Sequence, residues 1–428
     1  MHLTYRRTCR VCGSTALKPV ISLGEQHLQG SFYKPGKEEP PLRKIDCSLV
    51  RCDPMSDENA CGLLQMRRSV PPTVLYSAYW YRSGGNNTMR AHLAGIAQTA
   101  SDMVKKQKAT VLDIGANDGT LLKAYPKSYV KFGIDPSDIV REIKQKDITV
   151  VNDLFPSPEL DRVTKGKKFD IITSIAMFYD LEHPVEFAQT IESYLAPDGL
   201  WIVEMSYMPK MLSMNSYDTI CHEHLEYYSL AVLEFILDRA DMRLFRATLN
   251  DSNGGSIRAF ASHKSSVRYR RKDLAGELES LRREEFDLEL DTGKPYRNFQ
   301  LNVDRHKDAL SRMIRDLKGA GKTIHVYGAS TKGNTILQLC GLDHSVIDYA
   351  ADRNPDKYGA RTIGTDIPII SEEESRGMRP DYYLVLPWHF KAEFLRRERE
   401  TIARGTSMIF PLPEITVVDR TSLVPSAT

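Results

Sequence analysis

The sequence is short of several things. Its 58 Lys and Arg residues nearly cancel its 56 Asp and Glu residues, leaving a formal charge of +2. It therefore lacks the basic surplus by which nucleic-acid-binding chains are recognised. No apolar run approaches the roughly 20 residues needed to cross a bilayer. The opening stretch, MHLTYRRTCRVCGS, has no apolar core of the kind a secretory signal needs. No nucleic-acid partner and no membrane are expected, and a soluble, cytoplasmic chain is. With 428 residues and 41% hydrophobic content, it is long enough for two to four domains with their own cores.

Cysteine is sparse, but its placement is uneven. Five of seven fall within the first 61 residues, in a Pro-, Gly- and Lys-rich segment with little core. A reducing compartment disfavours disulfides, so such a cluster points to metal. Cys9 and Cys12 have the two-residue spacing of a zinc knuckle, and their partners come from Cys47, Cys52 and Cys61. Glycine follows both Cys12 and Cys61, suggesting equivalent tight turns. Cys9, Cys12, Cys52 and Cys61 are the favoured set. Four thiolates make a closed, structural zinc site.

After an aromatic stretch, YSAYWYRSGGNN, strand and helix signals alternate: TVLDIG, YVKFGID, ITVVND, FDIITSIAMF and LWIVEMS. This spacing predicts a parallel sheet flanked by helices, with GGSIRAFASH adding antiparallel strands. The predicted units are an N-terminal zinc-binding domain (1–75), a Rossmann-like α/β domain (76–267), a charged helical connector (268–320) and a second Rossmann-like α/β domain (321–428).

VLDIGANDGTLL is not the G-x-G-x-x-G of a dinucleotide site. Gly115 and Gly119 let backbone approach a ligand, and a helix N-terminus behind them suits a carboxylate. Asp113, Asn117 and Asp118 would repel a pyrophosphate but suit a cationic amino-acid cofactor, S-adenosylmethionine (SAM). Asp135, ending the next strand, is placed to accept ribose hydroxyls. Asp153 and Phe155 should flank adenine, and Met177, Phe178 and Tyr179 should wall the methyl donor and acceptor. Asp180 and His183 beyond them suit capping as well as catalysis. Together these features describe a class I methyltransferase domain.

CHEHLEYYS clusters His222, Glu223, His224 and Glu226. A zincin needs H-E-x-x-H on one helix; here the histidines are two apart, on a loop before a helix capped by Ser229. Proton transfer suits them better than metal binding, and His222 is a candidate for substrate contact.

These strings, with YWYRSG, TMRAHL, NGGSIR and YGASTKGN, resemble along nearly the whole chain the sugar C-methyltransferases of deoxysugar biosynthesis. The resemblance implies SAM-dependent methylation at C-3 of a nucleotide-linked, dTDP-type, 4-keto-deoxyhexose through an enolate. It makes His224 the base, supported by Glu223. It offers Tyr79, or else Tyr81, to the enolate oxygen, and Arg82, Ser83 and Lys332 to the sugar and its phosphates. The C-terminal unit would close over the nucleotide sugar. Cys221 stands where many relatives carry a tyrosine. An O- or N-methyltransferase would need no enolate and no dedicated base, and a zinc-containing nucleic-acid module is at odds with the near-neutral charge.

Overall fold

The computed structural model describes residues 3–37, 43–75, 81–269 and 272–423. Tyr79 lies outside these residues. Strands Leu17–Gln26, Ile45–Cys52 and Leu64–Met66 form an antiparallel sheet near the N-terminus. Its fourth strand comes from far along the chain: Glu226 and Tyr227 pair with Gln65 and Leu64. The tail of the histidine loop is thus an edge strand of the cysteine-bearing unit.

Helix α1 (Asn87–Val104) starts at Asn86, whose side chain accepts from the Met89 amide at 2.6 Å. It buries Leu93, Ile96, Ala97, Ala100 and Val104, an apolar stripe at helical spacing. Seven strands follow: β1 (Thr110–Ile114), β2 (Val130–Ile134), β3 (Ile148–Val151), β4 (Phe169–Ile175), β5 (Leu195–Ser206), β6 (Met242–Asn250) and β7 (Ser256–His263). They lie in the order 6-7-5-4-1-2-3. β1 to β5 run parallel, while β7 is antiparallel to both β5 and β6. Val111, Leu112, Ile171, Ile172, Ile202 and Val203 are buried, as parallel strands covered on both faces require. Helix α2 (Leu230–Arg239) begins at Ser229, whose hydroxyl accepts from Val232 N at 3.2 Å.

The charged connector contains α3 (Lys272–Asp287) and α4 (Lys294–Gly319). Its charge suits a solvated face, and α4 also has a buried one. Tyr296, Phe299, Val303, His306, Leu310 and Ile314 enter the core shared with the N-terminal and C-terminal sheets. Beyond it, β8 (Ile324–Tyr327), α5 (Thr331–Cys340), β9 (Tyr349–Asp352), β10 (Ile369–Ser371), β11 (Tyr382–Val385), β12 (Ser407–Phe410) and β13 (Thr416–Val418) build a sheet of order 10-9-8-11-12-13. Only β13 is antiparallel in it. This unit docks on the first α/β unit through Trp388. Its indole donates to Asp218 at 2.9 Å, and a Cβ on Gly254 would fall 2.8 Å from its ring. No helix among the described residues is long and apolar enough to cross a membrane.

Candidate active site

The carboxyl ends of β1, β2, β4 and β5 open into a cavity of about 790 Å³. Its far wall comes from the C-terminal unit and the histidine loop.

Asp113, Gly115, Asn117, Asp135, Asp153 and Met177 all line the cavity. Gly115 has φ of +77°, and a Cβ there would press on Met177 Cγ at 3.2 Å and narrow the cradle. Gly119, at φ +73°, caps a helix of only five residues (Thr120–Ala124) and meets Ile143 instead of the cavity. So short a helix adds little dipole to the site. Asp135 accepts from the amides of Asn117 and Ser137, both at 2.8 Å, which ties the glycine turn to the second strand. Its Oδ1 also accepts from Ser137 Oγ at 2.5 Å, so Oδ2 is the oxygen that keeps a lone pair for a ligand hydroxyl. Burial pushes the Asp113 carboxyl up to about 7 despite a 2.6 Å hydrogen bond from Thr173. Asp153 is exposed and holds its own loop, accepting from Leu154 N and Ser157 Oγ. Phe155 packs edge-on to Phe187 and Tyr194, at 5.3 Å each, while lining the cavity.

Asn117 does more than the glycine pattern implied. Its side chain donates to Tyr81 O at 3.0 Å and accepts from Ser83 N at 2.9 Å, fastening residues 81–83 over the turn. Tyr81 and Ser83 line the cavity; Arg82 does not. The guanidinium of Arg82 pairs with Glu142 at 2.8 Å and Asp356 at 2.6 Å, so its charge is already spent between two protein carboxylates.

In the histidine loop, His222 is buried away from the cavity. Its Nδ1 lies 2.6 Å from Gln29 Oε1 and its Nε2 3.2 Å from Ile45 O, both on the N-terminal unit. Burial lowers its pKa to about 4. The expectation that it contacts substrate is corrected: it fastens the loop.

His224 does line the cavity. Its Nδ1 donates to Thr219 O at 2.7 Å, fixing the tautomer, and its ring packs on Tyr179 at 4.2 Å. Nε2 has no hydrogen-bond partner among the described residues. The expected support from Glu223 is corrected too, because the group that orients His224 is the Thr219 carbonyl. Burial, and secondarily the charge of Lys332, lower its pKa to about 3, so the ring is neutral.

Glu223 lines the cavity against Gly30, where its carboxylate leaves no room for a Cβ. Burial pushes its carboxyl up to about 7. The folded chain then holds a proton that the unfolded chain has lost between about pH 4.5 and 7, so this group's contribution to stability falls across that window. Glu223→Gln removes the loss. Thermal melts should therefore show the variant gaining on the native protein from pH 5 to pH 8; an equal difference at both would refute the shift.

The C-terminal unit supplies Lys332 and a residue that sequence reasoning missed, His389. His389 follows β11 at the carboxyl edge of a parallel strand, the usual place for ligands in open α/β sheets, so that rule could have found it. Glu204, near the end of β5, was missed likewise. It lies 2.5 Å from His92 Nε2 and accepts from Arg258 at 2.6 Å, and both Glu204 and His92 line the cavity. Asp180 also borders the cavity, and His183 sits 3.9 Å from Glu186 at its mouth.

The four cysteine sulfurs of Cys9, Cys12, Cys52 and Cys61 lie within 4.8 Å of one another, with Cys9–Cys61 at 3.5 Å and Cys12–Cys52 at 3.4 Å. Tetrahedral Zn–S bonds of about 2.3 Å put sulfurs roughly 3.8 Å apart, so the set fits zinc. Gly13 and Gly62 both adopt positive φ, +78° and +82°, the paired tight turns the sequence suggested. Cys47 lies outside the cluster, buried against Gln29 and Ile220.

The seven-strand order, the glycine cradle and the acidic end of β2 define a class I SAM-dependent methyltransferase, with a four-cysteine zinc site alongside. Three family models tile the chain in order: a zinc binding domain over residues 9–76, a methyltransferase domain over 86–246 and a C-methyltransferase C-terminal domain over 251–413. The C-methyltransferase NovU of Streptomyces niveus is 27% identical over 418 residues, 97% of each chain. A malonyl-[acyl-carrier protein] O-methyltransferase of Halalkalibacterium halodurans is 27% identical over 135 residues, 29% of this chain and 49% of its own. Among solved structures, a SAM-dependent methyltransferase from Clostridium acetobutylicum matches at 11% identity over 41% of this chain and 92% of its own, with a TM-score of 0.34. The chain is thus similar, unit by unit, to a zinc binding domain, a methyltransferase domain and a C-methyltransferase C-terminal domain, and over nearly its whole length to a C-methyltransferase.

Proposed function

We propose that the protein methylates C-3 of a dTDP-linked 4-keto-deoxyhexose by way of an enolate. The observation that carries this reading is the state of His224: a neutral imidazole of fixed tautomer, with an unpartnered Nε2, in the cavity that Gly115 and Met177 border. A proton beside a ketone can be removed by a positioned base once the enolate oxygen is stabilised, and its removal turns that carbon into a nucleophile. SAM, when bound, supplies an electrophilic methyl group. Asp113, Gly115, Asn117, Asp135, Asp153 and Met177 are the residues proposed to hold it, with Gly119 shaping the turn. Tyr81, Ser83 and Lys332 are proposed to meet the sugar nucleotide. Tyr79 keeps its candidacy from the sequence.

The test uses dTDP-4-keto-6-deoxyglucose in deuterated buffer, with and without SAM, followed by NMR. The expected result is deuterium at the carbon next to the ketone without SAM, and a new carbon–methyl bond with it. A methyl group on oxygen or nitrogen would overturn the proposal.

A further inference from the structure

The cavity holds a cation for which the fold provides no close counter-charge. Lys332, at the start of α5, donates from Nζ to Asn253 O at 2.8 Å. Among the described residues it has no ion pair within 4 Å. Its two remaining N–H groups are left for something else. The nearby carboxyl of Asp218 is buried and turned to Trp388, and its Oδ1 has no hydrogen-bond partner. His389, on the same unit, has a buried Nδ1 that is likewise without a partner. Lys332, His389, Glu223 and His224 line one cavity. The charge of Lys332 reaches both imidazoles, lowering the proton affinity of each after burial has done so. A half-buried ammonium and an orphaned imidazole nitrogen are costly to keep unless a ligand satisfies them.

We propose that Lys332, with His389 beside it, holds the oxyanion that forms on the substrate when the carbon next to its ketone loses a proton to His224. This rests on the enolate reading above. The C-terminal unit then completes the catalytic centre as well as covering the substrate. Nε2 of His224 takes the proton. The C–H electron pair becomes the C=C bond, and the carbonyl π pair moves onto oxygen. That oxygen accepts from Lys332 Nζ and from the N–H of His389. When that carbon forms its bond to the methyl group, the donor's methyl–sulfur bond would break with its electron pair kept by sulfur, the carbonyl is restored from the enolate pair, and the proton leaves His224 for solvent. A ketone is neutral and an enolate is negative, so a cation there binds the transition state more tightly than the ground state. The same lysine on a diphosphate would bind both states equally.

That contrast sets the experiment. Full-length zinc-loaded protein carrying Lys332→Met, Lys332→Arg or His389→Gln is compared with native protein, using dTDP-4-keto-6-deoxyglucose as probe. Zinc content and SAM affinity identify folded variants. If Lys332→Met fails that check, Lys332→Arg carries the comparison, since its longer planar fork cannot reproduce the ammonium's position. At saturating probe, Lys332→Met should slow deuterium exchange by roughly 10²–10³-fold, with the probe's Kd little changed. Methylammonium should restore part of the rate. His389→Gln should slow exchange by roughly tenfold, as the loss of one hydrogen bond predicts. Native-rate exchange in folded Lys332→Met, with weakened probe binding, would place the lysine on phosphate and overturn the inference alone. No exchange even in native protein would remove the enolate reading and this inference with it.

Discussion

Replacing His224 with alanine is expected to lower kcat by roughly 10²–10⁴-fold, the usual contribution of a positioned general base. SAM affinity should be unchanged, because the cradle around Gly115 and Asp135 makes no use of the ring. The size of the effect follows from the geometry. The Thr219 carbonyl pins the Nδ1 proton at 2.7 Å, so the lone pair is on Nε2. The Tyr179 ring, with its centroid 4.2 Å away, holds the imidazole plane. Burial and Lys332 keep the ring neutral, so it is free to act as a base throughout the physiological range. A ring with so low a proton affinity is a weak base in isolation. Negative charge arriving beside Lys332 offsets the lesser of the two causes that depress it and favours the imidazolium, while the effect of burial remains. Deuterium exchange into the ketosugar should fall in parallel with turnover. His224→Gln, similar in bulk but unable to accept a proton at neutral pH, should behave like alanine. Turnover near the native rate in either variant would dismiss His224 as the base.

The second large effect is expected at the zinc site, 428 residues of chain notwithstanding. Cys12→Ser, or stripping with a strong chelator, should abolish methyl transfer and sharply lower thermal stability. Structural zinc in small domains contributes roughly 10 kcal/mol or more of apparent binding free energy. The N-terminal sheet has few strands of its own to replace that. Its consequence reaches the active site because the sheet includes Glu226–Tyr227, two residues beyond His224. Gln29 and Ile45 also grip His222, and Gly30 lies against Glu223. Loss of zinc should therefore free the histidine loop while leaving the seven-strand sheet able to bind SAM. Zinc content, calorimetric SAM binding and hydrogen exchange over residues 219–229 together check this. A zinc-free protein of full activity would contradict it.

Much of this was legible in the sequence for local reasons. Apolar strands at βα spacing, the GANDG turn and the acid after β2 depend on neighbours along the chain, and each appeared where expected. The cysteine set was readable because Gly13 and Gly62 mark two turns of the same geometry. Spacing alone also removed the histidines from zincin chemistry and placed them ahead of the helix that Ser229 caps.

What local pattern could not decide was which way each polar group faces. His222 and His224 are two residues apart, yet one is fastened to Gln29 and Ile45 while the other borders the cavity. Arg82 and Ser83 are adjacent, yet one is consumed by Glu142 and Asp356 from distant segments. Glu223 was expected beside His224 and instead lies over Gly30. His389 and Lys332 gain meaning only because the C-terminal unit docks through Trp388 onto Asp218 and Gly254. The sequence by itself determined the chemistry available: a methyltransferase sheet with its glycine turn, a zinc-binding cysteine set and the histidine proposed as the base. Tertiary structure decided which groups share one cavity, because burial and partners over a hundred residues away fix side-chain direction and proton affinity.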